Sequence, residues 1–416
     1  MKKLARRALA PLTAAALGLT LLSGTQAAAE PEAWTAAWAT SPQLPSEGFT
    51  PNWSQAGFSH QTVRQVVRVT QAGERARIRL SNAYGTSPLR ITGATIARTG
   101  KGAAVEKGSV RHLTFDGKRA VVIPARGQAA SDAASLEVGE ESSVTVTLYL
   151  AGTTGPATFH AQGFADTYRA DGDHRADASG RAFDESSQSW YYLSGVDVSG
   201  SSAPPRRDGV VLFGDSITDG FGSTAGKNRR YPDVLAARLD RPVLNAGIGG
   251  NLVLNDSAWF GERGSARFQR DVLDQPGVST VVVLEGLNDI GFYEAQKAGF
   301  DRPTYWPAPK VSASELIAGY RELIRQAHGR GVRIVGATLL PLGGSDHYGP
   351  DAARVSDEVN AWIRTSGEFD AVVDLDRVLA DPSDAERLDP KYDFGDHLHP
   401  NDAGYARLAS AVAEVL

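Results

Sequence analysis

Between about Ala33 and Ser199 the apolar residues recur at every second position, whereas beyond Gly209 they come in unbroken runs separated by helical patterns. This change of period constrains the fold more than any other feature. A two-residue repeat builds a strand with one buried face, and a continuous apolar run builds a strand buried on both. In the first region "ARIRLSN" puts Ala76, Ile78 and Leu80 on one face and Arg77 and Arg79 on the other. "SVTVTLYL" repeats the scheme, with Val144, Val146, Leu148 and Leu150 opposed to Thr145, Thr147 and Tyr149. Short alternating runs between Gly-, Pro- and Asp-rich turns predict an antiparallel β-sandwich over residues 30–200. "VSGSSAPPRRDG", from Val198 to Gly209, has linker composition, and a linker is expected at 201–208. A chain of 416 residues has the length for two such domains.

In the second region, residues 209–416, Val210–Phe213, Val243–Leu244, Val281–Leu284, Ile334–Ala337 and Val372–Val373 read as strands of a parallel sheet. "SASELIAGYRELIRQAHGRG" offers a capping box at Ser312 and Glu315 and an apolar stripe through Leu316, Ile317, Tyr320, Leu323 and Ile324. Further helices are expected near Tyr231–Leu239, Ala352–Thr365 and Ala403–Val415. The alternation predicts an α/β domain with a doubly wound parallel sheet of about five strands. Ligands of such sheets gather at the carboxyl ends of the strands. "VVLFGDSITDG" therefore places Ser216, just past the first strand, in that crevice.

Residues 1–29 differ from both regions. Lys2, Lys3, Arg6 and Arg7 precede an apolar run from Ala8 to Leu22 and then the small residues of "SGTQAAA". This is the pattern of a signal peptide, and it predicts a secreted, extracellular protein. The run is shorter than a spanning helix needs and Pro11 interrupts it, so no stable membrane anchor is expected. The adjacent arginines leave the Sec and twin-arginine routes both open. Removal of the four cations takes the formal charge from −5 to −9, and no clustered basic face remains for nucleic acid. The chain has no cysteine, which excludes a thiol nucleophile, a cysteine–zinc site and a lipidated cysteine.

A serine after a strand is by itself as well suited to capping the next helix as to catalysis. It becomes a nucleophile when a positioned imidazole takes its proton and an acid orients that imidazole. "YDFGDHLHPNDAGY" supplies both in Asp396 and His399, three residues apart in a loop before the last helix. His397 lies between them and competes for the role, although it should point the other way. Acyl transfer also needs donors aimed at the developing oxyanion. "NAGIGGN" follows the second strand with glycines that let backbone N–H groups come close to a ligand, and "LEGLNDI" puts the amide of Asn288 at the same edge. Neither a G-x-S-x-G elbow nor H-E-x-x-H occurs. A lone Asp-x-x-His is weak metal evidence, and no metal or other cofactor is expected.

These four blocks resemble those of the SGNH hydrolases, the GDSL esterase and lipase superfamily, over about residues 208–416. The resemblance implies a flavodoxin-like α/β domain and a catalytic triad of Ser216, Asp396 and His399. It implies an oxyanion hole made by the N–H groups of Ser216 and Gly250 and the side chain of Asn288, with Gly249 replacing Gly250 if the loop register slips by one. No block departs from the family's pattern. With its β-rich first half, the chain is similar to the secreted xylan-acetylesterase-like branch.

The expected function is a secreted serine esterase acting through an acyl-enzyme on carbohydrate-linked acetyl or other short acyl esters. A lipase or phospholipase-type acylhydrolase and a catalytically inactive polysaccharide-binding protein are the alternatives. Tyr293, Trp306 and Tyr348, on long segments leaving the sheet at the Ser216 edge, are the candidate substrate-binding aromatics, able to stack on a sugar or merely to cover the edge. The β-rich half is expected either to bind polysaccharide or to support the rim of the active site.

Overall fold

The computed structural model describes residue 1 and residues 33–416 apart from 201–205, 301 and 307. The export segment expected over residues 1–29, Met1 aside, and most of the expected linker lie outside the described residues. Residues Ala33–Leu416 form one compact unit.

The first half is built on two large antiparallel sheets, with two small ones that pair Phe159–His160 with Trp190–Tyr191 and Leu89–Ile91 with Val121–Ile123. One large sheet orders the strands Thr35–Ala39, Leu193–Ser199, Gly73–Ser81 and Gln128–Ala130, with Ala134–Val138 also paired to Gly73–Ser81. The other orders Glu185–Ser187, Thr167–Asp171, Gln61–Arg68, Ser143–Leu150, Gly93–Arg98 and Arg111–Leu113. Ile78 and Leu80 of the first sheet and Val63, Val144, Val146 and Leu148 of the second share one core, so the alternation read from the sequence marks the inner faces. The outer face of Ser143–Leu150 differs from expectation, since Thr145 and Thr147 are buried too. Arg64 on the neighbouring strand accounts for this. Its guanidinium donates to Thr147 Oγ1 at 3.1 Å and to the carbonyls of Ala103, His174 and Asp177, and Phe183 packs on it at 4.1 Å. Two loops are thereby folded over a face that would otherwise meet water.

The second half is a five-stranded parallel sheet with helices. The strands run in the spatial order Val243–Gly247, Gly209–Gly214, Val278–Leu284, Arg333–Ala337, Ala371–Val373. Val211 pairs with Leu244 on one side and Val281 on the other, so the first strand in sequence is interior and flanked in both directions. Chain order reverses there, and the crevice beyond its carboxyl end is where such sheets bind ligands. All five strands match runs read from the sequence. The helix Ala313–His328 begins at the expected capping box, with Glu315 N–H donating to Ser312 Oγ and Ser312 N–H to Glu315 Oε2 at 2.8 Å. It packs on Pro350–Thr365, and Tyr231–Ala236 packs on Asp402–Ala413. The helix Leu287–Lys297, directly after the third strand, lies in a segment that the sequence gives no clear helical period.

The two halves meet through polar contacts. Arg79 donates to Gln275 Oε1 at 2.8 Å, Tyr84 OH to Glu262 Oε2 at 2.8 Å, and Arg267 to Ser41 Oγ at 3.2 Å. Ala36 and Ala39 of the β-rich half belong to the core of the α/β half.

Candidate active site

The strand Gly209–Gly214 ends at Asp215, whose carboxylate accepts the Ile217 N–H at 3.0 Å and caps a short helix, Ser216–Asp219. The capping role therefore belongs to Asp215, and Ser216 is left as the first helical residue, with an N–H that has no partner inside the helix. The start of the last helix, Asp402–Ala413, is tied to the loop that follows this turn, because Thr224 donates from its N–H and its hydroxyl to the two oxygens of Asp402, each at 2.8 Å. The contact brings the two ends of the domain together: Ser216 Oγ lies 2.8 Å from His399 Nε2.

His399 Nδ1 lies 2.7 Å from Asp396 Oδ2, while Asp396 Oδ1 accepts the N–H groups of His399 and Leu398 at 2.9 and 3.1 Å. Burial alone would push the Asp396 carboxyl up. The His399 hydrogen bond and charge, with the two backbone donors, outweigh it and bring the group down to about 2. The Phe221 ring packs on the imidazole at 4.5 Å. His397, the competing histidine, is exposed and turned to Asp393 Oδ2 at 2.6 Å.

The glycine loop after the second strand shows which N–H is free to meet a ligand. Gly249 donates its own to Asp219 Oδ2 at 3.0 Å, whereas Gly250 lines the cavity with φ of +74°. A side chain on Gly250 would bring its Cβ within 2.5 Å of the Phe260 ring, so glycine is required for space as well as for conformation. Asn288, the second residue of its helix, donates from Nδ2 to the Asn251 carbonyl at 3.0 Å, which leaves its second amide hydrogen for another acceptor. Its Oδ1 accepts from His347 Nε2 at 3.1 Å, and His347 Nδ1 lies 2.7 Å from Asp346 Oδ1. A second Asp–His pair thus fixes which way the Asn288 carboxamide points.

Ser216, Gly250, Asn288, Asp396 and His399 all line one cavity of about 360 Å³, a size that suits a small ligand. Phe221, Phe260, Phe292 and Tyr305 supply aromatic walls, and Phe49 and Gln162 come from the β-rich half. Three residues singled out in the sequence are not brought to it. Tyr293 faces Lys310 with the ammonium 5.7 Å from its ring, and Trp306 and Tyr348 are exposed outside the lining. Their segments do leave the sheet at the right edge, but helical periodicity in Leu287–Lys297 turns Phe292 inward and Tyr293 away.

Several supporting residues had no motif to reveal them. Arg267 is fully buried and donates to the Gly214 and Ala246 carbonyls at the ends of the first two strands, to Asn251 Oδ1, and toward Asp271 and Glu285. Asn251 in turn donates to the Phe260 and Glu262 carbonyls and so pins the glycine loop. Asp289 accepts the Val253 and Leu254 N–H groups at 2.8 and 3.0 Å. An arginine in a charged stretch reads as surface in sequence, and only packing shows that this one is central.

Residues 212–407 match the GDSL-like Lipase/Acylhydrolase family. Solved structures similar to the chain include a GDSL-like lipase from Bacteroides thetaiotaomicron, 19% identical, covering 50% of this chain and 87% of that one with a TM-score of 0.38. They also include an acetylxylan esterase from Geobacillus stearothermophilus in a catalytic mutant form, 22% identical over 50% of this chain and 94% of that one, with a TM-score of 0.37. A third is the acetyl xylan esterase AlAXEase, 20% identical over 50% and 98%, also with a TM-score of 0.37. Likeness at that level does not extend to substrate. No curated protein matches the chain.

Proposed function

We propose that the chain is a serine esterase that uses Ser216, His399 and Asp396 on short acyl esters of carbohydrates outside the cell; the match of residues 212–407 to the GDSL-like Lipase/Acylhydrolase family supports a carboxylic ester hydrolase. The observation that carries the assignment is the hydrogen-bonded series Ser216 Oγ, His399 Nε2, His399 Nδ1, Asp396 Oδ2, with contacts of 2.8 and 2.7 Å.

In this reading Ser216 Oγ attacks the ester carbonyl carbon and its proton passes to His399 Nε2. The carbonyl oxygen takes up the displaced electron pair and is met by the N–H groups of Ser216 and Gly250 and by Asn288 Nδ2; such donors are worth about 3 kcal/mol each in the transition state. Asp396 holds the imidazole in the tautomer that accepts at Nε2 and stabilises the imidazolium. Collapse of the tetrahedral intermediate expels the alcohol, which takes the proton back from His399. Water then repeats the sequence on the acyl-Ser216 ester and releases the carboxylic acid.

The aromatic walls combined with polar groups, and the modest cavity, support a short acyl group joined to a sugar over a long lipid chain. The resemblance to xylan-acetylesterase-like proteins supports the same class. The signal-like residues 1–29 support an extracellular site of action. The test is Ser216→Ala. It is expected to lower hydrolysis of 4-nitrophenyl acetate at least about 10³-fold with an unchanged thermal melt, and retained turnover in the folded variant overturns the reading.

A further inference from the structure

Gln162 is 6% exposed, and its Oε1 is buried without a hydrogen-bond partner. A buried amide group left unpaired is costly and asks for an explanation. This one lines the cavity that holds Ser216. It lies against the glycine loop so closely that a Cβ on Gly249 would stand 2.0 Å from Gln162 Oε1 and 3.0 Å from the Phe49 ring. Phe49, the other cavity residue from the β-rich half, is 47% exposed and stacks on Phe260 at 5.6 Å with the planes 16° apart. The open ring and the amide stand side by side over the loop that carries Gly250.

The placement has a sequence cause. Residues two apart in extended chain project to the same side, and here His160 and Gln162 both turn toward the α/β half. His160 Nε2 meets Asp219 Oδ1 at 3.0 Å, and Asp219 Oδ2 accepts the Gly249 N–H. One short stretch of the β-rich half therefore braces Gly249 through Asp219 and sets a polar amide against it. Bracing alone would be served by His160. It does not account for a cavity-lining glutamine whose amide oxygen is unpaired, beside a half-exposed aromatic ring.

We propose that Phe49 and Gln162 form a sugar subsite contributed by the β-rich half, in which a pyranose ring bearing the ester packs on Phe49 and one of its free hydroxyls bonds the Gln162 amide. An apolar ring face with an adjacent amide matches a sugar, which has C–H faces and hydroxyl edges. The subsite rests on the carbohydrate-ester reading above and adds to it the residues that select the alcohol portion.

The test measures binding rather than turnover. In the Ser216→Ala chain, where the ester should persist, the Kd of a methyl pyranoside carrying one acetyl ester is measured by calorimetry, alone and with Gln162→Leu or Phe49→Ala added. Thermal melts confirm folding, and Phe49, being half-exposed, is the safer of the two positions. Each added change is expected to weaken binding at least fivefold. Unchanged affinity in either folded variant, or no binding by the parent, overturns the subsite. A chain that hydrolyses 4-nitrophenyl acetate but binds the sugar ester without regard to Gln162 loses only the subsite. Gln162-dependent binding with no Ser216-dependent turnover loses only the esterase assignment.

Discussion

His160 Nε2 stands 3.0 Å from Asp219 Oδ1, with both side chains buried, and the pair joins the β-rich half to the turn that carries Ser216. His160 Nδ1 lies 3.0 Å from the Ser41 carbonyl, so the imidazole is held at both nitrogens. His160→Phe leaves the buried Asp219 without that partner, and a loss of about 3 kcal/mol in unfolding free energy is expected from denaturant titration. Because Asp219 also holds Gly249, turnover of 4-nitrophenyl acetate should fall in the fraction that remains folded. A variant of unchanged stability and rate would show that the contact is idle.

In the proposed mechanism His347 acts on the oxyanion through Asn288, whose Oδ1 lies 3.1 Å from His347 Nε2. With His347→Leu the Asn288 Oδ1 loses its donor and the carboxamide is free to turn. Mispositioning one oxyanion donor costs up to about 10²-fold in kcat, so kcat is expected to drop well over tenfold while KM moves little. A change confined to KM would place His347 in substrate binding instead. Asn288→Ala combined with His347→Leu should be no worse than Asn288→Ala alone, since the effect passes through the same side chain.

Asp396→Asn should lower kcat about 10³-fold or more without unfolding the chain. An amide in that position can present a donor to His399 Nδ1 and favour the wrong tautomer. The carboxylate, held down at about 2, is ionised throughout the range in which the protein would work, so wild-type activity should not report its titration above about pH 4. A rate loss of less than tenfold would remove Asp396 from the series.

Stability should decline as pH rises from about 4 to about 8. Burial raises Asp215 to about 8 and Glu285 and Asp289 to about 7, with neighbouring carboxylates adding to it and hydrogen bonds or Arg267 opposing it. Each group keeps in the folded state a proton that the unfolded chain has already given up. Its contribution is full below the unfolded value near 4 and is lost as pH passes through 7 to 8. Melting temperatures by circular dichroism across that window should fall, and Glu285→Gln should flatten the slope. Rising melting temperatures would contradict the assignment.

The sequence was most legible where it is periodic. All five parallel strands, the Ala313–His328 helix with its cap, and the inner faces of the sandwich follow from period and local capping, because those depend on residues a few positions apart. Leu287–Lys297 escaped because it is buried on most of its surface and so lacks a polar stripe to set its period. Tyr293 was chosen over its neighbour for a related reason: one step along a helix exchanges Phe292, which lines the cavity, for Tyr293, which does not.

The chemistry of the site was present in the sequence as types: a serine after a strand, an Asp-x-x-His loop, a glycine loop and an asparagine at the same sheet edge. Only the tertiary structure set Ser216 against His399 across 183 positions, and only it spent the Gly249 N–H on Asp219 while leaving Gly250 facing the cavity. It alone placed Phe49 and Gln162 of the β-rich half in the wall around Ser216. The division is physical. Backbone period and capping are short-range and are written in neighbouring residues, whereas the identity of a donor's partner depends on how separate elements pack, and no window of adjacent residues encodes it.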